Sequence, residues 1–373
     1  MPSRLQELTG AEFPLFAFSH CRDVVVAVSR AGGFGVLGGS SFTPESLEEE
    51  LRWIDEHIDG KPYGIDILIP ENIAIPAGVT GETLAASVPK QHVSFTQDIL
   101  EGIDVPSQRE GLVSTDLPTI SPEISEQLLD VAFAHPIRLI VNALGIAPPA
   151  MIERARKAGI PVGALVGAKE HAIRQAKAGV DVIVAQGTEA GGHCGEVSTL
   201  VLIPEVVRAL EPYGSPPVLA AGGIMTGAQM AGMMAMGAQG VWTGSVWLAT
   251  TESEVSEIFR EKMVAASSRD TIRSTFRTGK PSRQLRSTWH DAWHGPDSPG
   301  ELGMPQMALL SQPAFGRIDK AAAGGNAAAR DMVSYFVGQG VGLVDQVRSA
   351  SGVVQEFKED YLAALERLNS TLE

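Results

Sequence analysis

The densest chemical signal in the chain is Gln186-Gly187-Thr188-Glu189-Ala190-Gly191-Gly192-His193-Cys194-Gly195, a glycine-rich stretch that carries one imidazole. Histidine titrates near neutral pH, and glycines leave backbone around this ring but few side chains to crowd it. That setting suits a general base that must meet a substrate better than a ring that merely hydrogen-bonds a loop carbonyl. Cys194 beside His193 raises a Cys–His nucleophile pair, but neighbouring side chains on an extended loop point apart. Two other turns have the composition of a phosphate site: Ala220-Ala221-Gly222-Gly223-Ile224 and Trp242-Thr243-Gly244-Ser245. Glycine lets backbone N–H groups approach an anion, and the Ser245 hydroxyl can donate to it. His290 and His294, four apart in HDAWH, have zinc-like helical spacing, yet no Glu sits beside the first His and no third ligand stands out. Asp66 interrupts the apolar run YGIDILIP. A buried acid needs a partner, so Asp66 is structural or faces a ligand.

The elements that must position these groups follow a repeated pattern: a short β-branched run, a turn, then about ten helical residues ending in Ala-Gly or Met-Gly. Strands are expected at 13–19, 35–38, 63–70, 138–143, 160–167, 180–187, 216–223 and 238–245. Amphipathic residues 44–58 make one of the intervening helices. Alternation on this scale allows an open doubly wound sheet or a closed barrel, and strand count and spacing favour a (β/α)8 TIM barrel. In such a barrel the ends of the seventh and eighth strands build a phosphate site beside a helix N-terminus. The His193 loop follows the sixth strand and shares that face. Two regions break the rhythm. Residues 71–136 form a long insertion after the third strand, a length that usually carries function or structure of its own. Residues 256–373, basic at Arg269, Arg273, Arg277, Lys280, Arg283 and Arg286, read as a mainly helical cap or subdomain. Its final segment, an amphipathic helix near 353–370, is expected to pack back on a barrel domain of residues 1–255.

Composition narrows the function. The 373 residues carry 29 basic against 44 acidic side chains, a formal charge of −15, with no basic cluster to reverse the sign locally. Nucleic acid and anionic membrane are therefore poor partners. No charged residue occurs between Glu211 and Glu252, but Pro216-Pro217 and eight glycines punctuate that stretch, which fits buried strands and not a membrane span. Two cysteines are too few for a disulfide framework, and the N-terminus lacks the apolar core of a signal peptide. A cytoplasmic location is expected.

The segments AGGFGVLGG, QGTEAGGHCG, VLAAGGIMTG and GVWTGSVWLATTES, in this order, resemble the nitronate monooxygenase family, formerly called 2-nitropropane dioxygenases, and the related flavin-dependent enoyl reductases. The resemblance runs from about residue 13 to 255, with Gly338-Gln339-Gly340-Val341-Gly342 resembling a late family segment. It implies an FMN-binding barrel with an added helical domain. His193 matches the catalytic base, Gln186, Gly191 and Gly192 the flavin-contacting loop, Gly222 and Gly223 the first phosphate turn, and Trp242, Thr243, Gly244 and Ser245 the second. The implied reaction oxidises an alkyl nitronate with O2 to a carbonyl compound and nitrite, with no metal. A second reading is an NAD(P)H-fed FMN reductase of an enoyl thioester or quinone, and a third a flavin-free barrel isomerase or lyase on a sugar phosphate. A homodimer is left open. Two positions depart from the family pattern: His20 replaces a neutral segment at the end of the first strand, and Asp66 replaces an Asn on the third. Both should lie against the flavin, where an ion pair between an ionised Asp66 and a His20 imidazolium is the expected arrangement.

Overall fold

A computed structural model describes residues 3–40, 42–69, 79–108, 110–115 and 122–372. Eight short apolar runs close into one parallel barrel: β1 Leu15–Ser19, β2 Phe34–Gly38, β3 Tyr63–Ile67, β4 Ile140–Asn142, β5 Val162–Val166, β6 Val182–Gln186, β8 Val218–Ala221 and β9 Gly240–Thr243. Strand alternation sorts the side chains. Phe16, Phe34, Val36, Leu139, Val141, Val182, Val184, Leu219 and Trp242 fill the interior, while Leu15, Leu37, Ile65, Ile67 and Ile140 face the surrounding helices. The Ala-Gly punctuation works as read: helices Pro149–Ala158 and Lys169–Ala178 stop at Gly159 (φ 69°) and Gly179 (φ 93°), left-handed positions that glycine takes without a Cβ penalty.

The connection between β6 and β8 carries a strand outside the closed barrel. β7, only Gly192–His193, leaves the barrel and pairs antiparallel with β11 (Ser282–Leu285), which pairs in turn with β10 (Thr271–Ser274). The C-terminal region, expected to be mainly helical, thus also contributes two strands, and the His193 loop is the third strand of their sheet. Around them pack the helices Glu257–Ala265, Thr288–Trp293, Gln306–Ala323 and Ala327–Met332, cored by the fully buried Trp289 and Trp293. The last helix, Ala350–Asn369, lies on the barrel helices Gly227–Ala235 and Arg22–Arg30, and Lys358 Nζ donates to the Ala31 carbonyl at 2.8 Å.

Among its described residues the long insertion holds three helices. Gly81–Ala86 and Lys90–Glu101 pack against Gln306–Ala323 of the cap, and Pro122–Ala134 packs on Pro44–His57 of the barrel. The Arg317 guanidinium donates to the carbonyls of Pro106, Gln108 and Glu110, and Asn326 Nδ2 to that of Ile103. Insertion and cap therefore share one surface. The segments 70–78 and 116–121 lie outside the described residues. Among the described residues no helix is long and apolar enough to cross a membrane.

Candidate active site

The cradle begins with two glycines in conformations closed to other residues, Gly222 at φ 109° and Gly223 at φ 72°. A Cβ on Gly222 would stand 2.7 Å from Thr199 Oγ1, and one on Gly223 3.0 Å from Glu189 Cβ. Thr199 begins the helix Thr199–Leu210, whose N-cap Ser198 makes no side-chain cap. The Glu189 carboxylate supplies it instead: Oε2 accepts from the Thr199 N–H (2.9 Å) and from its hydroxyl (2.8 Å), which also lies 3.0 Å from the Gly222 carbonyl. Glu189 and Thr199, neither singled out in the sequence, thus lock the shape of the first turn.

Among the described residues, the backbone N–H groups of Gly223, Ile224 and Gly244 carry no hydrogen bond. Ser245 opens a short 3₁₀ helix beside them. Its Oγ accepts from the Gly338 N–H at 2.9 Å and keeps its own proton free to donate. These free donors, brought together from the ends of β8 and β9, fit a phosphate. The helix Gly227–Ala235 adds less than the barrel pattern predicts, because Gln229 Oε1 already takes the N–H groups of Met225 and Thr226. The segment Gly338–Gly342 closes the cradle from the cap. A Cβ on Gly340 would stand 2.8 Å from the Gly223 carbonyl, and the Gln339 N–H donates to Glu189 O at 2.8 Å.

Other residues expected at the cofactor are placed differently. Thr243 points outward, its hydroxyl donating to Phe16 O and accepting from Trp247 Nε1, both at 3.0 Å. The Trp242 indole lies in the barrel interior, stacked on Phe18 with centroids 6.0 Å apart. Of that tetrad only Gly244 and Ser245 turn to the cradle. Gly191 is glycine because the cap backbone presses on it, with Gly338 N 2.9 Å from a built Cβ, and Gly192 needs its positive φ of 73°.

Across the mouth the barrel wall offers three polar side chains. Gln186 continues the inward row of Val182 and Val184, and its amide makes no hydrogen bond among the described residues. Asp66 lies in register between Gly38 and Val141, so its side chain shares their inward face. It is 4% exposed, forms no hydrogen bond or ion pair among the described residues, and burial alone holds its carboxyl well above the ordinary carboxylate range. His20 Nδ1–H donates to the Gly38 carbonyl at 2.8 Å, its ring meets Phe18 edge-on at 5.1 Å, and burial lowers its pKa. The expected Asp66–His20 ion pair is therefore corrected. The Gly38 carbonyl takes the imidazole N–H, and the buried setting favours the uncharged form of both groups. His20 presents Nε2 as an acceptor.

His193 is held by the cap. Its backbone pairs with Ser282, its ring lies near Phe336 (6.2 Å), and Nε2 stands 2.8 Å from Thr278 Oγ1. The Thr278 hydroxyl donates to the Lys280 carbonyl at 3.2 Å, so the hydrogen-bond pattern assigns the proton to His193 Nε2 and leaves Nδ1 as the free base. The ring reaches solvent but is flanked by protein on most sides. That desolvation, and then the Lys280 ammonium, lower its pKa below 6.5. Two cap arginines from the basic run staple the loop: Arg283 Nε donates to Thr188 O at 2.9 Å and Arg273 Nη2 to Cys194 O at 3.4 Å. Cys194 Sγ points at the Thr188 carbonyl and takes no part with His193. The HDAWH histidines serve the cap. His290 Nδ1 accepts from the Ser287 N–H and Nε2 donates to Gln284 Oε1, both at 3.2 Å, while His294 Nδ1 donates to His290 O.

The profile of the family described as "Nitronate monooxygenase" matches residues 4–360. A Mycobacterium tuberculosis protein named "Putative monooxygenase Rv1533" is 51% identical over the full length of both chains. A "Probable nitronate monooxygenase" of Staphylococcus saprophyticus is 27% identical over 77% of this chain and 79% of its own. Among solved structures, nitroalkane oxidase from Streptomyces ansochromogenes superposes with a TM-score of 0.80 at 24% identity, covering 98% of this chain and all of that one. FabK from Thermotoga maritima gives 0.71 at 24% identity, covering 100% and 99%. These two likenesses show a shared fold.

Proposed function

Because the chain belongs to the nitronate monooxygenase family, we propose that it is an FMN-dependent enzyme oxidising alkyl nitronates with O2 to carbonyl compounds and nitrite. The observation that carries this reading is the pairing, on one barrel face, of a donor-rich glycine cradle with a histidine kept as a free base. Gly223, Ile224, Gly244 and Ser245 would hold the flavin phosphate with donors that have no other partner. Gln186, His20 and Asp66 would meet the polar edges of the ring, above an aromatic floor of Phe18 and Trp242. Bound there, FMN supplies the two-electron chemistry and the reaction with oxygen.

The remaining steps belong to the chain. His193 Nδ1 takes the α-proton of a neutral nitroalkane, or orients a nitronate that arrives ionised. Thr278 fixes the ring plane and tautomer through Nε2. The Lys280 ammonium, which adds to desolvation in depressing the His193 pKa, favours an anionic nitronate beside the base.

The purified protein should be yellow and release FMN on denaturation. Anaerobic mixing with a nitronate, NADH and NADPH separately identifies the electron donor by which reagent bleaches the flavin. Bleaching by the nitronate supports the proposal. Bleaching by a nicotinamide alone would replace it with the reductase acting on an enoyl thioester or quinone, and a folded protein that stays colourless after FMN addition would replace it with a flavin-free barrel enzyme.

A further inference from the structure

Among the described residues, Asp66 is the one carboxyl on the inner wall of the barrel. The strands beside it bring no charge: β2 presents Gly38 and β4 presents Val141. Among the described residues the other titratable group aimed inward at this level is His20, whose Nδ1–H is spent on Gly38 O. Glu189, bonded to Thr199, and His193, bonded to Thr278, stand on the loop beyond β6. Buried polar atoms that are both unpartnered and fully enclosed do occur among the described residues, at His92, Arg260, Arg273, Thr275 and Trp293. The Asp66 oxygens are not of this kind. They make no hydrogen bond among the described residues and are not among those fully enclosed atoms, and the residue as a whole is 4% exposed. A carboxyl without a partner among the described residues, on a wall facing the ligand mouth, has its polar end available to whatever occupies that mouth.

We propose that Asp66 serves this site as an uncharged carboxylic acid, donating its O–H to an acceptor on the ring of the bound flavin. The proposal rests on the flavin reading above and deepens it. An ionised Asp66 has no proton to donate and would set a buried negative charge against the ring, so donation to a ring acceptor requires the acid form. Burial in the apolar wall favours that form, in line with the raised pKa of the group. Flavin retention should then weaken as pH rises through the Asp66 titration. An amide at this position keeps an N–H donor at every pH, and a leucine keeps the volume without the donor.

The test is FMN binding to deflavinated protein across pH for the parent, Asp66→Asn and Asp66→Leu, with infrared spectra of the bound complexes. Every other titrating group, the FMN phosphate and His20 included, is common to the three proteins, so the difference isolates Asp66. The expected results are a carboxylic-acid C=O band in the parent that is lost in both variants, and parent affinity that declines at high pH while Asp66→Asn stays level with respect to it. Asp66→Leu should bind about tenfold more weakly than the parent at low pH. Tight FMN binding with equal affinity and equal pH dependence in all three proteins would overturn the role of Asp66 and leave the flavin reading intact. Failure of the folded parent to bind FMN would overturn both. A difference that emerges only when nitronate is added would overturn the assignment to the flavin and move the acceptor to the substrate.

Discussion

His193 takes its tautomer from Thr278, and its lowered pKa comes first from desolvation and then from Lys280, both partners far along the chain. Because its pKa is lowered, the ring is unprotonated at neutral pH, and the rate on a neutral nitroalkane should fall only as pH drops through that lowered value. Lys280→Met removes one cause of the lowering, so the acidic limb of kcat/KM should move to higher pH. An unmoved limb would leave desolvation as the sole cause. His193→Asn should abolish turnover of the neutral nitroalkane while the pre-ionised nitronate, which needs no base, loses less. Equal losses on both forms would reassign the residue to positioning. Thr278→Val should cost roughly tenfold on the neutral form, the effect of about one hydrogen bond, through loss of the tautomer rather than of the base.

Two turns and a capping carboxylate build the cradle, and they should fail in a definite order. Gly223→Val forces a β-branched residue into φ 72° and a Cβ to 3.0 Å from Glu189, so it should release the flavin most readily. Glu189→Gln keeps the shape but weakens the charge-assisted cap on Thr199, with an intermediate effect. Ser245→Ala removes one neutral donor and the acceptor for Gly338 N, a loss of about 1 kcal/mol for each bond. Flavin occupancy after exhaustive dialysis ranks the three. A Gly223→Val protein that keeps full cofactor would move the phosphate elsewhere.

Barrel and cap cannot be separated without dismantling the candidate site, since the His193 loop is a barrel connection that forms a strand of the cap sheet. The cap carries its own pH sensitivity. His290 is buried between Ser287 and Gln284 with its pKa pushed down to about 3, first by desolvation and then by the Arg277 guanidinium. Unfolding restores an ordinary pKa near 6.5, so the unfolded chain binds a proton that the folded chain refuses. The contribution is complete above pH 6.5 and erodes as pH falls toward 3, at up to about 1.4 kcal/mol per unit. Denaturant titrations between pH 7 and 4 should show this slope in the parent and a shallower one in His290→Gln. Identical slopes would mean that another group dominates acid unfolding.

Eight strands, their Ala-Gly helix stops and the glycine turns after β6, β8 and β9 were legible in the chain because each is a local pattern. Alternation, turn glycines and charge-free runs are properties of a few consecutive residues. His193 stood out for the same reason. The basic run from Arg269 to Arg286 was visible too, but nothing in its spacing said that Arg283 and Arg273 would hold the carbonyls of Thr188 and Cys194. What tertiary structure alone decided is the state of each titratable group. Whether Asp66 is charged depends on the strands that bury it, whether His20 pairs with it depends on the Gly38 carbonyl, and which nitrogen of His193 is basic depends on a hydroxyl 85 residues away. Protonation is set by desolvation and by neighbours in space, and a sequence orders neighbours only along the chain.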